Sequence, residues 1–164
     1  MGMDDTRRTL IGGGLLAAFG VWLGLGRGDP AQAKRFPLTL PDAEWRRRLS
    51  PAAYNVLRKH ATERAGTSPL DREKRRGTFA CAGCGQRLFA SATKFDSGTG
   101  WPSFYQPLPG AVGTSTDRQL VFARTEVHCA RCGGHLGHVF DDGPRPTGKR
   151  YCMNGVAMRF TPGA

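Results

Sequence analysis

The sequence predicts a mainly β protein with antiparallel strands that follow two short helices. Helical patterns are confined to residues 42–61, and no long helical period occurs after residue 65. From residue 78 onward, short apolar or aromatic runs are broken by Gly, Pro, Ser and Asp, which is typical of β-strands joined by turns. Strands that follow one another without alternating helices favour antiparallel pairing.

The first 33 residues differ from the rest and predict an export signal. Arg7 and Arg8 precede an apolar, glycine-rich run at residues 10–25, and Ala31-Gln32-Ala33 gives a cleavage pattern before Lys34. This layout is that of a bacterial twin-arginine signal, so we expect a periplasmic or otherwise exported domain over residues 34–164. The alternative is an uncleaved membrane anchor. The run has 16 residues with five glycines, whereas a span needs about 20 strongly apolar residues.

The charge balance is strongly basic. The formal net charge is +11, and it is the same for residues 34–164, because residues 1–33 hold three basic and three acidic side chains. A charge of this size favours anionic partners, but here it is spread along the chain rather than gathered in one block. We interpret it as a solvated basic surface and expect no nucleic-acid partner, because an export signal argues against one.

Two helices are predicted at the start of the exported domain. Asp42 predicts the cap of a first helix that runs to Leu49. Ser50 and Pro51 predict the start of a second helix, with Ser50 as N-cap and Pro51 at the first helical position. This helix is predicted to run to about Ala61. The charged residues 72–77 are predicted as a loop, and strands are predicted at residues 78–80, 87–89, 119–124 and 156–160.

Four of the five cysteines form two C-x-x-C pairs. Cys81 and Cys84 are the first pair, Cys129 and Cys132 the second, and glycine follows each pair where the backbone must turn sharply. Four thiolates satisfy the tetrahedral coordination of zinc and leave no open position, which predicts one structural Zn²⁺ per chain. The two pairs are separated by 44 residues, whereas the pairs of an independent zinc ribbon are separated by about 15 to 20 residues. The pairs should therefore connect strands that are distant in the sequence. A redox role for the pairs is the alternative, although neither precedes the helical pattern of a thioredoxin-like motif.

Cys152 is the remaining cysteine, and its neighbours indicate a reactive thiol. Residues two apart in a strand share a face, so Arg150, Cys152 and Asn154 should point the same way. A nearby guanidinium favours the thiolate, which is the nucleophilic form of cysteine, and Asn154 adds a hydrogen-bond donor. The alternative is an inert core thiol. The polar neighbours argue against it.

Two further features accompany this cysteine. His135 and His138 follow the second cysteine pair, so a bound metal would fix their position, and histidine delivers protons near neutral pH. A second metal bound by these histidines and Cys152 is the rival interpretation. Trp101 lies in the glycine-rich segment 98–104 and is a candidate for the floor of an apolar pocket, the alternative being a core position.

Several motifs occur along the chain in a specific order. They are Trp45, Thr62-Glu63-Arg64, Cys81-x-x-Cys84, Lys94-Phe95-Asp96-Ser97-Gly98, Gly100-Trp101-Pro102-Ser103-Phe104, Arg124-Thr125-Glu126-Val127, Cys129-x-x-Cys132, His135-Leu136-Gly137-His138-Val139-Phe140-Asp141-Asp142-Gly143-Pro144 and Arg150-Tyr151-Cys152-x-Asn154. Together they resemble the B-type peptide-methionine sulfoxide reductases over most of residues 34–164. The resemblance implies two antiparallel β-sheets in a β-tent (Mss4-like) arrangement, a structural zinc remote from the active site, and the R epimer of methionine sulfoxide, free or in proteins, as substrate.

The resemblance also implies roles for single residues. These are the nucleophile Cys152, the active-site histidines His135 and His138, the polar rim Arg150 and Asn154, and the substrate-binding residues Trp101 and Phe104. In this scheme Trp101 receives the substrate methyl group, and a histidine protonates the sulfoxide oxygen while Cys152 attacks sulfur. Cys152 is then left as a sulfenic acid.

One position departs from the pattern. Thr99 stands where many family members have a second, recycling cysteine. With the other four thiols held by zinc, the sulfenic acid would have no internal thiol partner. We therefore expect a thioredoxin-like or other external thiol to reduce it directly, and we expect the protein to be a monomer.

Two other classes of protein stay open at this point. A basic binding module of the zinc-ribbon type explains the charge and the four paired cysteines, but it leaves Cys152, the two histidines and Trp101 without a role. A thiol-disulfide exchange protein would use the C-x-x-C pairs for redox chemistry without zinc.

Overall fold

The computed structural model of the protein describes residues 36–118 and 123–163. The predicted export signal at residues 1–33 lies outside these residues, as does most of the strand predicted at 119–124. Within the described ranges, no helix has the length and apolar character needed to cross a membrane.

Two short helices precede the strands, as predicted. Helix α1 spans Asp42–Arg48, and helix α2 spans Pro51–Lys59. Ser50 caps α2, because its side-chain oxygen accepts a hydrogen bond from the backbone N–H of Ala53 at 3.2 Å. The Ser-Pro pair therefore starts the second helix in the way that its sequence indicates.

The ends of the helices differ from the prediction in two places. Asp42 is the first residue of α1 rather than its cap, and its carboxylate accepts hydrogen bonds from Arg46 and the Tyr54 hydroxyl instead. Helix α2 ends at Lys59, before the predicted end near residue 61, because His60 adopts the left-handed conformation with φ 57°. Glycine apart, His60 alone has a positive φ in the described part of the chain. Such a conformation is uncommon for a residue with a side chain.

The described residues form nine strands in two antiparallel sheets, which confirms the predicted fold class. The strands are β1 (Gly77–Cys81), β2 (Arg87–Ala90), β3 (Lys94–Phe95), β4 (Ser103–Phe104), β5 (Val112–Asp117), β6 (Arg124–Cys129), β7 (His135–Phe140), β8 (Arg150–Met153) and β9 (Met158–Pro162). The three-stranded sheet has the order β2-β1-β9, and the six-stranded sheet has the order β3-β4-β8-β7-β6-β5. The strand predicted at 156–160 begins later, at Met158, because Gly155–Ala157 forms a 3-10 turn.

An aromatic cluster joins the two sheets. Phe79 and Phe89 come from the three-stranded sheet and Phe104 from the six-stranded sheet, and all three are fully buried. Phe104 stacks on Phe89 with ring centroids 4.3 Å apart and meets Phe79 edge-on at 4.9 Å. Offset-stacked and edge-to-face pairs are the favoured aromatic contacts, so the cluster is a well-packed centre for the core.

Helix α2 packs over the turns that contain the paired cysteines. A Cβ atom on Gly83, in the first turn, would lie 3.6 Å from Leu57, and one on Gly134, beside the second turn, would lie only 2.9 Å from it. Trp45 of α1 adjoins the same turn, 3.3 Å from that Cβ position on Gly83. The helices therefore cover the cysteine end of the sheets, and the absence of a side chain at Gly134 makes room for Leu57.

Strands β7 and β8 approach each other closely at Gly137. In their register, Gly137 pairs with Met153 and His138 pairs with Cys152. A Cβ atom on Gly137 would lie 2.1 Å from the backbone oxygen of Cys152, far inside van der Waals contact. Glycine at this position therefore sets the spacing between the strand of the two histidines and the strand of Cys152.

We expect Gly137→Ala to lower the free energy of unfolding by roughly 1–3 kcal/mol, because the added methyl group must displace the backbone of β8. Equilibrium denaturation in urea measures the change. Gly163→Ala is the matched control, since a Cβ atom there would meet its nearest neighbour at an ordinary 3.7 Å. An equal loss of stability in both variants would show that close approach at Gly137 is not the cause.

Candidate functional site

A small cavity opens beside Cys152 on the six-stranded sheet. Its volume is about 110 Å³, which suits the end of a side chain rather than a large ligand. Its walls combine a thiol, an imidazole, an amide and aromatic rings. The lining residues are Thr62, Trp101, Arg124, Gly137, His138, Phe140, Cys152 and Asn154.

Strand register places a row of polar residues across this sheet. Ser115, Glu126, His138, Cys152 and Ser103 are successive partners from β5 through β6, β7 and β8 to β4. Directly opposite residues in antiparallel strands project on one face with Cβ atoms about 4.5–5.5 Å apart. A carboxylate, an imidazole, a thiol and two hydroxyl groups therefore share one face of the sheet.

Cys152 is half-buried and adjoins a chain of hydroxyl groups. Burial raises the pKa of its thiol, while Thr99, Arg150 and Ser103 act in the opposite direction without cancelling the effect. The Thr99 hydroxyl lies 3.9 Å from Sγ, and Ser97 connects it to Ser103 through contacts of 2.8 and 2.7 Å. Hydroxyl and guanidinium groups around the sulfur favour the thiolate and partly offset the cost of its burial.

Arg150, predicted for the polar rim, forms an ion pair with Asp142, for which the sequence alone indicates no role. Its guanidinium donates two hydrogen bonds to Asp142, at 2.9 and 2.8 Å, and packs over the Phe140 ring at 4.5 Å. These residues lie on or beside the antiparallel neighbours β7 and β8. Only the pairing of these strands, which the sequence did not give, would have predicted the contact.

Glu63 ties two predicted site residues to the strand of Cys152. Its backbone N–H donates to Oδ1 of Asn154 at 2.8 Å, and its carbonyl accepts from Nε1 of Trp101 at 3.1 Å. Its carboxylate accepts from the backbone N–H groups of Gly155 and Val156 at 2.5 and 3.0 Å. Trp101 and Asn154 are therefore held in place on the cavity wall. Glu63 belongs to the Thr62-Glu63-Arg64 motif, from which the sequence alone indicates no function for it.

His138 lines the cavity on the strand beside Cys152. Its Nε2 lies 2.8 Å from Oδ2 of Asp117, which also binds Arg124 at 2.7 Å. Burial lowers the pKa of His138; the hydrogen bond to Asp117 opposes this, and the charges of Arg124 and His135 add to it. The imidazole is thus positioned for proton transfer, but it holds a proton less firmly than a free histidine.

His135 is not among the residues that line the cavity. It is 2% exposed, and its Nδ1 lies 2.8 Å from Oε1 of Glu126. Nδ1 of His60 lies 3.1 Å from the same oxygen. The ring of His135 is 5.0 Å from that of His60 and 5.3 Å from that of His138. The structure therefore brings the two predicted histidines together but gives them different carboxylate partners.

Phe104, predicted as a substrate-binding residue, lies elsewhere. It is 0% exposed, stacks on Phe89 and does not line the cavity. The reason is its position between the two sheets, where its ring joins the aromatic cluster. The structure places Trp101 on the cavity wall but not Phe104, so Phe104 is corrected to a core residue.

The four paired cysteines converge at the helix-covered end of the sheets. Their sulfur atoms all lie within 4.8 Å of one another, with Cys81 to Cys132 at 3.8 Å and Cys84 to Cys129 at 3.5 Å. Sulfur atoms about 3.8 Å apart are what a tetrahedral ion with metal–sulfur bonds of about 2.3 Å requires. The donor set therefore fits one metal ion.

Both cysteine turns have the geometry that their glycines predict. Gly85 and Gly133 follow the second cysteine of each pair with φ of 74° and 67°, a conformation that glycine adopts at little cost. Each donates a backbone hydrogen bond at 2.9 Å to the carbonyl of the first cysteine of its own pair. The two short sulfur contacts run between turns, not within a C-x-x-C pair, which favours metal binding over disulfide exchange.

The structure does not bring His135, His138 and Cys152 together as the ligands of a second metal site. Outside the four-cysteine cluster, the potential ligands that converge in the described ranges are His60, Glu126 and His135. His138 and Cys152 are not members of that group. The nucleophile candidate is therefore separate from both clusters.

Comparison with known proteins agrees with this geometry. Residues 49–162 match the family model described as the SelR domain. The chain is 53% identical over 122 residues to "Peptide methionine sulfoxide reductase MsrB" of Agrobacterium fabrum, covering 74% of this chain and 90% of that protein. It is 51% identical over 120 residues to the protein of the same name from Leptospira interrogans, covering 73% and 92%.

A plant relative extends the comparison. The chain is 52% identical over 123 residues to "Peptide methionine sulfoxide reductase B1, chloroplastic" of Arabidopsis thaliana, covering 74% of this chain and 61% of that protein. The matched segment 49–162 contains the four-cysteine cluster and every residue that lines the cavity. The chain therefore belongs to the SelR domain family, together with these peptide methionine sulfoxide reductases of the B type.

Proposed function

We propose that the protein reduces the R epimer of methionine sulfoxide, free or in proteins, as a peptide-methionine (R)-S-oxide reductase. The observation that carries this proposal is the cavity in which Cys152 faces a small space with His138 on the adjacent strand and Trp101 on the wall. Membership of the family and the names of its relatives support the same activity. A basic binding module or a thiol-disulfide exchange protein is not favoured, because neither explains this cavity.

In the proposed reaction, Cys152 attacks the sulfoxide sulfur as a thiolate. The thiolate, the sulfoxide and one proton give methionine and a sulfenic acid on Cys152, so the oxygen atom ends on the enzyme. The oxygen cannot leave sulfur as a bare oxide, and His138 is the group in the cavity that can protonate it. The neighbouring Thr99 hydroxyl and Arg150 guanidinium favour the thiolate.

The remaining cavity residues orient the substrate. The indole of Trp101 offers an apolar wall for the methyl group, and its Nε1–H is already bonded to the carbonyl of Glu63. Asn154 completes the polar side of the cavity; its amide is fixed by Glu63 and by the backbone oxygen of Leu136 at 3.0 Å. Fixed walls favour one orientation of a chiral sulfoxide over the other.

We propose Zn²⁺ for the cluster of Cys81, Cys84, Cys129 and Cys132. Four thiolates in tetrahedral positions suit zinc, and with all positions occupied by protein the ion supplies folding free energy rather than a reaction step. One zinc per chain is expected. Because the cluster ties β1 to β6, its loss should destabilise both sheets.

The reductant and the location complete the proposal. Thr99 adjoins Cys152 where a recycling cysteine stands in many relatives, so an external thiol, thioredoxin-like or small, must reduce the sulfenic acid. The twin-arginine pattern at residues 1–33 supports export, with the periplasm as the place where oxidised proteins would be repaired and an uncleaved anchor as the alternative.

The direct test of the proposed function uses the two epimers of a methionine sulfoxide peptide separately, with dithiothreitol as reductant. We expect turnover of the R epimer and little or none of the S epimer, because the fixed cavity walls distinguish them. Chromatography of the methionine product measures both rates. Activity on the S epimer alone would contradict the proposal.

Cys152→Ser and Cys81→Ser should separate catalysis from metal binding. We expect Cys152→Ser to abolish turnover while it retains the fold and one zinc, since its sulfur is not part of the four-thiol cluster. Cys81→Ser should lose zinc and unfold or be strongly destabilised, because structural zinc contributes on the order of 10 kcal/mol of binding energy to folding. Elemental analysis and circular dichroism measure the two properties. Loss of zinc in Cys152→Ser would make Cys152 a ligand, and no zinc in the wild type would favour the redox interpretation.

The recycling step should leave a persistent sulfenic acid. One equivalent of substrate without reductant should add one oxygen atom to the mass of the protein and make Cys152 reactive toward dimedone. Thr99→Cys should instead yield an internal disulfide and raise activity with thioredoxin relative to dithiothreitol, because the Thr99 hydroxyl is already 3.9 Å from Sγ. A disulfide between Cys152 and any cysteine of the four-thiol cluster in the wild type would rule out direct reduction.

A further inference from the structure

Glu126 is a buried carboxylate whose described partners are imidazoles and a hydroxyl group. It is 8% exposed. Its Oε1 lies 2.8 Å from Nδ1 of His135 and 3.1 Å from Nδ1 of His60, and its Oε2 accepts a hydrogen bond from Ser115. His128 lies 3.9 Å from Oε2, beyond hydrogen-bond distance. No ion pair with lysine or arginine is found for Glu126 in the described ranges, whereas Asp117 has Arg124.

This arrangement leaves a buried negative charge that an imidazole must balance. Burial by itself raises the pKa of Glu126, but hydrogen bonds from His135 and Ser115 and the charges of His135 and His60 lower it to about 2. The carboxylate is therefore ionised at neutral pH. An ionised carboxylate in a buried position is costly unless a positive charge nearby balances it.

We propose that His60, Glu126 and His135 together hold one proton in reserve and supply it through His138 to the oxygen of the sulfoxide. This inference rests on the proposed function, which consumes one proton for each thiolate that attacks sulfur. In the transfer, the N–H bond of an imidazolium breaks and an O–H bond forms on the oxygen that leaves sulfur. The cluster has then lost one proton and must be protonated again before the next turnover. His60 and Glu126 are positioning residues in this scheme, because they act through the two histidines of β7.

The surroundings of His138 explain why a reserve is needed. Its pKa is lowered by burial, so it holds a proton poorly by itself at neutral pH. The ring of His135 packs edge-on against it with centroids 5.3 Å apart. The buried Nε2 of His135 has no hydrogen-bond partner among the described residues, so it is the nitrogen left to exchange a proton with His138, through one water molecule or after a small movement of the ring. The sulfoxide oxygen therefore receives, through His138, a proton that is held on the cluster of His60, Glu126 and His135.

His60 connects this store to solvent. Its side chain is 44% exposed, whereas that of His135 is 2% exposed. The left-handed backbone at the end of α2 brings the His60 ring over the ring of His135, with centroids 5.0 Å apart. Sparsely populated backbone conformations persist where the surrounding structure requires them, often at functional sites. After each turnover, His60 can take a proton from water and restore the reserve.

The other charged and titratable groups around the cluster come from four strands. They are Asp117 on β5, Arg124 and His128 on β6, His138 on β7, and Cys152 on β8 beyond His138. Asp117 and Arg124 compensate each other, so they leave the charge of Glu126 unbalanced.

Nitrogen-15 NMR of the histidine rings tests the reserve without requiring activity. At pH 7.5 we expect one ring with protons on both nitrogens in the wild type, assigned to His60 or His135 with the help of His60→Asn. Asparagine tolerates the left-handed conformation, so this variant keeps the backbone. In Glu126→Gln the doubly protonated ring should be lost. A wild type in which all rings are neutral, or in which the charged ring is His128, would overturn the proposal.

The kinetic test measures methionine formation in the first turnover of pre-reduced enzyme, which excludes the recycling step. At pH 8 we expect Glu126→Gln to be about tenfold slower than the wild type, and at pH 6, where solvent supplies protons, to be within about threefold of it. Glu126→Asp, which keeps the charge, should retain the wild-type pH profile. His60→Asn, at the surface, should fold in any case and show the same trend with smaller amplitude.

Glu73→Gln is the matched control, because it removes a carboxylate that pairs with Arg75 away from the cavity; its profile should equal that of the wild type. Parallel pH profiles for the wild type and Glu126→Gln would refute the reserve while leaving the reductase activity intact. A wild type that forms no methionine would refute the proposed function, and the NMR result would still decide the charge state. Binding of a second Zn²⁺ that His60→Asn abolishes would make the cluster a metal site instead.

Discussion

The convergence of four thiols at one end of the molecule is the constraint on which the rest of the structure depends. The first pair lies at the end of β1, in the three-stranded sheet, and the second pair follows β6 in the six-stranded sheet. The turn of the second pair leads directly into β7, so His135 and His138 start from a fixed point. Leu57 packs against both turns and thereby anchors the helices. None of the four cysteines lines the cavity, yet the cluster defines where the strands of the site begin.

From that fixed end, the site is built by strand register and by a few hydrogen bonds that cross between segments. The backbone N–H of Gly66 donates to the carbonyl of Gly100 at 2.7 Å, and Glu63 bonds to Trp101 and to Asn154. The segment before the first strand therefore holds the loop of Trp101 against β8. The walls of the cavity come from five parts of the chain, namely the segment of Thr62, the loop of Trp101, and β6, β7 and the region of β8. Each part is tied to another by hydrogen bonds that involve the backbone. Such a site is organised before substrate arrives.

The sequence predicted what depends on local spacing and missed what depends on strand pairing. The cysteine turns, the Ser50 cap and the polar neighbours of Cys152 follow from residues within a few positions of one another, and the structure contains the first two as expected. Glu126, Asp117 and Asp142 reach histidine or arginine only through register between strands, which no short motif reveals. Phe104 was misassigned for a related reason. It lies three residues from Trp101 in one motif, but it follows Ser103 in β4, and successive residues of a strand point to opposite faces, so its ring enters the core.

Cys152 lies on β8, which is hydrogen-bonded to β4 on one side and β7 on the other. The reactive sulfur is therefore carried by an interior strand, not by a loop or an edge that swings outward. Local opening of such a strand requires the loss of two ladders of backbone hydrogen bonds, so the sulfur has almost no reach of its own. The molecule that donates electrons must therefore approach the sulfur. Which reductants can do so depends on their shape at the cavity mouth as much as on their reduction potential. A slender thiol or an exposed cysteine at the tip of a protein has access that a bulky donor lacks.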